Sequence, residues 1–314
     1  MPQSAVLVEV VRSGFVEGHH RGSVIALGAD GEIAFAAGDP AAAVFPRSSN
    51  KPMQAVGMLR AGLELEGELL ALACASHSGE PFHLDGVRRV LAVAGLDEAA
   101  LQTPPDLPVD ETERLAYVLA GGEPSPIAMN CSGKHAAMLV TCVRNGWPTD
   151  CYREPDHPLQ RALRDTLEDL AGEDVTATGV DGCGAPLFAI SLLGLARAFR
   201  AVATAPPGTP GGAVAGAIRT YPRWLGGTRR DVTALVAGVP GLIAKDGAEG
   251  VYAAALPDGR AVALKIDDGA SRARPPVMVA ALRRLGVEAD VLDELAEAPL
   301  LGGGRPVGAV RAVL

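Results

Sequence analysis

The apolar residues of this 314-residue chain fall into three zones with different spacing. The first is dense in β-branched residues. Ser4-Ala5-Val6-Leu7-Val8-Glu9-Val10-Val11 predicts a strand over 4–11, and residues 23–28 and 32–37 flank Asp30-Gly31, a hairpin turn signal. His19-His20-Arg21-Gly22, just ahead of the second strand, reads as a polar turn. A middle zone has helical spacing, with helices predicted over 52–61, 65–75, 84–94, 112–120, 132–145 and 159–171. In the last of these Leu159, Leu163, Leu167 and Leu170 form one stripe, Pro158 opens the helix and Gly172 ends it. Residues 175–180 read as a short strand, 187–203 as a helix apolar nearly all round, and 205–212 as a Pro- and Gly-rich loop. Strand spacing returns at 240–244, 250–256 and 260–267, followed by a helix over 274–285 and a strand over 306–313.

Sheet-forming segments thus sit at both ends of the chain. This predicts an α+β fold in a single domain: an antiparallel sheet built from both termini (about 1–47 and 238–314), flanked by helices, with a mostly helical inserted lobe (about 48–237). A cleft between lobe and sheet follows from that arrangement, and residue 48 lies where the chain leaves the sheet.

Composition narrows the partners. Hydrophobic residues at 48% and charged ones at 21% describe an ordinary globular protein. A formal net charge of -9 and the lack of a Lys/Arg run argue against nucleic acid or an anionic membrane, which leaves a small molecule or a protein. The first residues lack a basic n-region and a long apolar stretch, and no apolar run reaches membrane-spanning length, so a cytoplasmic protein is expected. Cys74, Cys131, Cys142, Cys151 and Cys183 are odd in number and widely spaced, which suits free thiols or a metal site better than a disulfide framework.

The chemistry centres on Arg47-Ser48-Ser49-Asn50-Lys51-Pro52-Met53-Gln54. On a helix, residues three apart share a face, so Ser48 and Lys51 can meet while Ser49 points elsewhere. A lysine becomes a base near neutral pH when burial and a second cation favour its neutral form, and it can then deprotonate a serine nucleophile. The residue before a proline disfavours helical geometry, so an irregular first turn is expected at Lys51-Pro52. Two further elements follow in chain order: Ser76-His77-Ser78-Gly79-Glu80 after an apolar helix, and Leu264-Lys265-Ile266-Asp267-Asp268-Gly269 on a late strand. The order matches that of serine β-lactamases and transpeptidases, which use Ser-x-x-Lys, a Ser-bearing loop and a Lys-x-Gly strand. On this reading Ser48 is the nucleophile and Lys51 its base, Ser78 relays a proton, and Lys265 supplies a second cation that favours the neutral amine and attracts an anionic substrate.

Cys131 and Cys183 each sit in a Gly-rich turn just ahead of a predicted helix, within Asn130-Cys131-Ser132-Gly133-Lys134-His135 and Gly179-Val180-Asp181-Gly182-Cys183-Gly184. Two thiolates favour zinc, with Lys134 or His135 as a third ligand; metal chemistry alone prefers His135, because an amine must lose a proton to bind.

Taken together, these five motifs resemble the rhizobial-type L-asparaginases, also called the thermolabile asparaginase II family, over nearly the full length. The resemblance implies a β-lactamase-like fold, a homodimer, and hydrolysis of L-asparagine to L-aspartate and ammonia. It implies two Ser-Lys pairs, Ser48 with Lys51 and Ser78 with Lys265, and zinc held by Cys131, Lys134 and Cys183 in place of His135. No organic cofactor is expected. Arg47, beside the nucleophile, is a candidate contact for the substrate carboxylate, with Asp181 as a second substrate-binding candidate. The rivals are another serine-lysine amidohydrolase, acting on glutamine or on a β-lactam or peptide amide, and a zinc-bearing binding protein without activity.

Overall fold

The computed structural model describes residues 4–314. Its strands are β1 (Ala5–Arg12), β2 (Phe15–Leu27), β3 (Ile33–Ala37), β4 (Ala43–Val44), β5 (Ala177–Val180), β6 (Pro186–Ser191), β7 (Ile243–Asp246), β8 (Val251–Ala255), β9 (Ala261–Ile266), β10 (Glu297–Gly302) and β11 (Arg305–Ala312). The helices are α1 (Lys51–Arg60), α2 (Gly67–Ala73), α3 (Pro81–Ala92), α4 (Glu111–Leu119), α5 (Ser132–Asn145), α6 (Pro158–Ala171), α7 (Leu192–Ala203), α8 (Pro210–Thr220), α9 (Pro222–Leu225), α10 (Asp231–Gly238), α11 (Arg274–Arg284) and α12 (Val291–Leu295).

The main sheet has eight strands in the order β10-β11-β1-β2-β9-β8-β7, with β3 also paired to β2. Every pairing is antiparallel, and both chain ends contribute, as the hydrophobic pattern predicts. A small sheet, β4-β6-β5, lies within the inserted part. Strands β7, β8 and β9 are buried almost throughout. Strands covered on both faces read as continuous apolar runs, here rich in alanine, and α7 and α11 pack on β8 and β9.

Two helices of the inserted part are buried nearly all round. In α1 every residue from Lys51 to Met58 is buried, and in α5 every residue from Ser132 to Cys142. Each therefore carries polar residues of its first turn into the interior. Helix α6 follows its sequence signals closely, with Pro158 at its start and Gly172 as a left-handed cap whose N–H bonds the Glu168 carbonyl.

Three local expectations change. His19 to Gly22 is not a turn but part of the long strand β2, because β1 pairs it register by register as far as Phe15. The apolar stretch 187–203 splits into β6 and α7 at Ser191, whose hydroxyl accepts from Gly194 N–H and whose backbone and side chain are both held by Glu173. Residues 205–212 are only partly loop, since Thr209 caps α8 and Pro210 opens it.

Gly22 in β2 faces Ile266 of β9, and a Cβ on it would lie 2.1 Å from the Lys265 carbonyl oxygen. Gly22→Ala should therefore destabilise the fold by about 1–3 kcal/mol or more. Gly18→Ala, in the same strand with nothing within 4 Å of its would-be Cβ, should cost less than about 1 kcal/mol. Urea unfolding of the two variants checks this.

Candidate active site

Ser48 lies in a single 3₁₀ turn, Arg47–Asn50, that runs directly into α1. This is the irregular first turn expected ahead of Pro52, whose missing N–H falls where a helix start has no partner for it. Arg47 has a φ of 51°, rare for a residue with a side chain. Backbone strain of this kind, worth about 1–3 kcal/mol, persists where the surroundings enforce it. Gly247 is part of that enforcement: a Cβ there would sit 2.8 Å from Pro46 O and 3.2 Å from Ser49 N.

The two adjacent serines differ as the spacing argument anticipates. Ser49 is buried and its hydroxyl donates to the Pro46 carbonyl at 2.6 Å. Ser48 is half-buried and lines a cavity of about 190 Å³ together with Ser76, Val109, Asn130, Arg230, Asp246, Gly247, Ala248 and Arg274. Drug-sized ligands occupy pockets of roughly 300–1,000 Å³, so this one suits a molecule of amino-acid size.

Lys51 is fully buried and donates to Ala75 O at 2.5 Å, Ser76 Oγ at 3.0 Å and Cys131 Sγ at 3.1 Å. Its serine partner is thus Ser76. The other expected pair does not form either: Ser78 Oγ donates to the Gly226 carbonyl at 2.8 Å, while Lys265 reaches the Ile266 carbonyl and lines a separate groove of about 460 Å³ with Arg47 and Glu249. Burial lowers the Lys265 pKa, against the opposing pull of Asp267 and Glu249. Arg47 Nε and Asp181 Oδ1 pair with each other at 2.9 Å, which commits both side chains.

The second buried lysine near Lys51 is Lys245, which sequence reasoning missed. It donates to its neighbour Asp246 at 2.6 Å, and Asp246 also takes Arg230 at 2.5 Å and Arg274 at 3.4 Å. Burial brings the Lys245 pKa down to about 8; Asp246 opposes that and Lys51 adds to it. Asp246 itself stays below the usual carboxylate range: burial alone would raise it, but Lys245, Arg230 and Arg274 outweigh that. Lys245-Asp246-Gly247 is a literal Lys-x-Gly element at the end of the edge strand beside the Ser48 turn. That signal was available in the sequence.

Beyond Lys51 lies a sulfur cluster. Lys134 Nζ donates to Cys183 Sγ at 3.1 Å, and Cys131 Sγ meets Lys51 at 3.1 Å. The Cys131 thiol donates to Asn130 Oδ1 at 3.0 Å. The neighbouring Cys131 lowers the Cys183 pKa strongly, and Lys134 adds to this against the opposing effect of burial. Cys183 and burial push the Cys131 thiol up. Burial would lower the Lys134 pKa, but the Cys183 and Cys131 sulfurs outweigh it. His135, which metal chemistry alone would choose, bonds Tyr152 through Nδ1 at 2.7 Å and keeps a buried Nε2 without a partner. Among the described residues no group of three or more His, Cys, Asp and Glu gathers as a metal site. A donor set here has to count Lys134. Two sulfurs and an amine in mutual contact do fit a borderline-soft divalent ion, provided Lys134 gives up its proton.

A cavity lined by Ser48, a lysine-bound serine and two arginines is the candidate active site. The family comparison agrees: residues 8–312 match the family model described as L-asparaginase II. The chain belongs to the L-asparaginase II family and is an amidohydrolase. A search of curated protein sequences gives no significant match. Similar solved structures include Mglu in its native form (15% identity, TM-score 0.43, 84% of this chain), of which this chain spans only 63%. A β-lactamase, Mb2281c, from Mycobacterium bovis is similar at 14% identity and TM-score 0.46, over 84% of this chain and 94% of that one. A protein described as "Probable glutaminase ybaS" is similar at 17% identity and TM-score 0.45, over 90% and 92%.

The depressed Lys245 pKa has a measurable consequence. Its folded value of about 8 lies below the ordinary lysine value of 10.5, so the unfolded chain binds more protons between those limits. Its stabilising contribution is full above 10.5 and is lost as the pH falls to about 8. Wild type should therefore gain on the order of 3 kcal/mol relative to Lys245→Met across that window, measured by urea unfolding at stepped pH.

Proposed function

We propose that the protein is an L-asparaginase that works by double displacement, with Ser48 as nucleophile. The observation that carries this reading is that Ser48 opens on the small cavity, its hydroxyl without a hydrogen bond among the described residues, beside Ser76, whose hydroxyl Lys51 holds at 3.0 Å. Ser48 Oγ attacks the side-chain amide carbon, and its proton passes by way of Ser76 to Lys51 in its neutral form. Collapse of the tetrahedral intermediate breaks the C–N bond, and the same route returns the proton so that ammonia leaves. Water then attacks the aspartyl-Ser48 ester, giving L-aspartate and free Ser48. Backbone N–H groups of the 3₁₀ turn are the candidates for stabilising the oxyanion.

Ser78 and Lys265, assigned from sequence as the second pair, are replaced in this proposal by Ser76 and Lys245. Lys245 keeps a buried positive charge near Lys51, and Ser78 supports the backbone at Gly226. The cavity's small volume favours asparagine over glutamine or a peptide amide.

Zinc belongs to the same proposal, with Cys131, Lys134 and Cys183 holding it. When bound it would supply positive charge and cross-link the start of α5 to the turn bearing Cys183; two thiolates make it a poor Lewis acid, so its role is positioning. The homodimer that the resemblance implies and the cytoplasmic location expected from the sequence complete the reading. No helix among the described residues is long and apolar enough to cross a membrane.

Ser48→Ala should lower ammonia release from L-asparagine by at least about 1,000-fold with an unchanged circular dichroism spectrum; near-wild-type turnover would end the nucleophile assignment. Cys183→Ser should lose zinc in elemental analysis of protein purified without chelator. Metal-free wild type with a fully active Cys183→Ser variant would remove the metal from the account.

A further inference from the structure

We propose that Arg230 and Arg274 form the carboxylate-binding end of the Ser48 cavity and set its specificity for amides that carry a free carboxylate. This rests on the amidohydrolase reading above. Both arginines line the same cavity as Ser48, where they meet Asp246 and Gly247. Arg230 comes from the residue before α10 and Arg274 from the first residue of α11, so two elements far apart in sequence converge there.

Charge balance is the core of the argument. Asp246 faces three cations, Lys245, Arg230 and Arg274, at 2.6, 2.5 and 3.4 Å. The other buried acid nearby is Asp231, whose Oδ2 has no hydrogen-bond partner. Even with Asp231 ionised, two negative charges stand against three positive ones. Lys51, whose partners are a carbonyl, a hydroxyl and a sulfur, meets no carboxylate. A buried excess of positive charge is costly until an anion completes it.

The acids on neighbouring segments do not make up the deficit. Glu80 is bonded through both oxygens to Thr228, and Asp110 and Glu113 are taken by Arg229, which points to a more exposed position. Arg274 also keeps a buried Nε without a partner, although its Nη1 is bonded to Gly247 O at 2.7 Å. Guanidinium forks are suited to carboxylates, and a small amide held by its carboxylate at this end extends toward Ser48 and Ser76. Arg47, the candidate chosen from sequence, is bound to Asp181 and lines the other groove.

The test compares kcat/KM for L-asparagine with that for β-alaninamide, the same amide without its carboxylate, in wild type, Arg230→Gln, Arg230→Lys and Arg274→Gln. The ratio should fall roughly 10- to 100-fold in the glutamine variants, mainly through KM for asparagine, and less in Arg230→Lys. An equal loss on both substrates in Arg230→Gln, leaving the ratio unchanged, would overturn the proposal. Arg230 is the decisive position should Arg274→Gln not fold, because its side chain is 22% exposed. Calorimetric titration with succinate needs no turnover: wild type should bind it and Arg230→Gln should bind it at least about 10-fold more weakly. Equal binding would also overturn the proposal. A wild type that binds succinate in this way yet releases no ammonia from asparagine would defeat the asparaginase reading alone.

Discussion

Asp246 holds the site together. A single buried carboxylate at the end of edge strand β7 gathers Lys245, Arg230 and Arg274, and so ties the strand to the starts of α10 and α11. Removing one partner from such a buried cluster costs about 3–5 kcal/mol, since the rest are left uncompensated. The same strand end positions Gly247 against the Ser48 turn, where a side chain of any size would push the turn away. Edge strands are usually blunted or covered; here β7 packs against the turn that carries Ser48.

Around that hub the two buried helices act in parallel. The first turn of α1 brings Lys51 inside, and the first turn of α5 brings Lys134, each ending on a cysteine sulfur. A buried lysine is expensive, and the fold accepts three: Lys51, Lys134 and Lys245, all at most 2% exposed. Such groups concentrate where chemistry needs them, and the cavity is lined by Ser76 and Asp246, the partners of Lys51 and Lys245; small as it is, it is therefore a better candidate site than the larger surface groove at Phe82 and Trp224.

The sequence made much of this legible. Periodicity placed the terminal strands and the caps of α6, and the Ser-x-x-Lys spacing separated Ser48 from Ser49. What it could not supply was the tertiary pairing. Ser76 and Ser78 are equivalent in a loop read as a string, and only the packing of α1 against that loop gives Lys51 to Ser76. Strand spacing appeared to end at residue 244 because Lys245 and Asp246 are charged, and an ion pair buried at a strand end breaks the apolar pattern; only the Lys-x-Gly of Lys245-Asp246-Gly247 marked it. The apolar run 187–203 hid a strand-to-helix switch, since a buried strand and a buried helix share a composition. Ser191, a helix cap, was the residue that marked it.

The central claim is that Ser48 carries the acyl group. Rapid acid quench during asparagine turnover, followed by peptide mass spectrometry, reads it directly. The account predicts the added mass of one aspartyl group on the peptide containing Ser48, at Ser48 itself, and its loss in Ser48→Ala. An adduct on Ser76, or turnover in Ser48→Ala with none on residue 48, would contradict it.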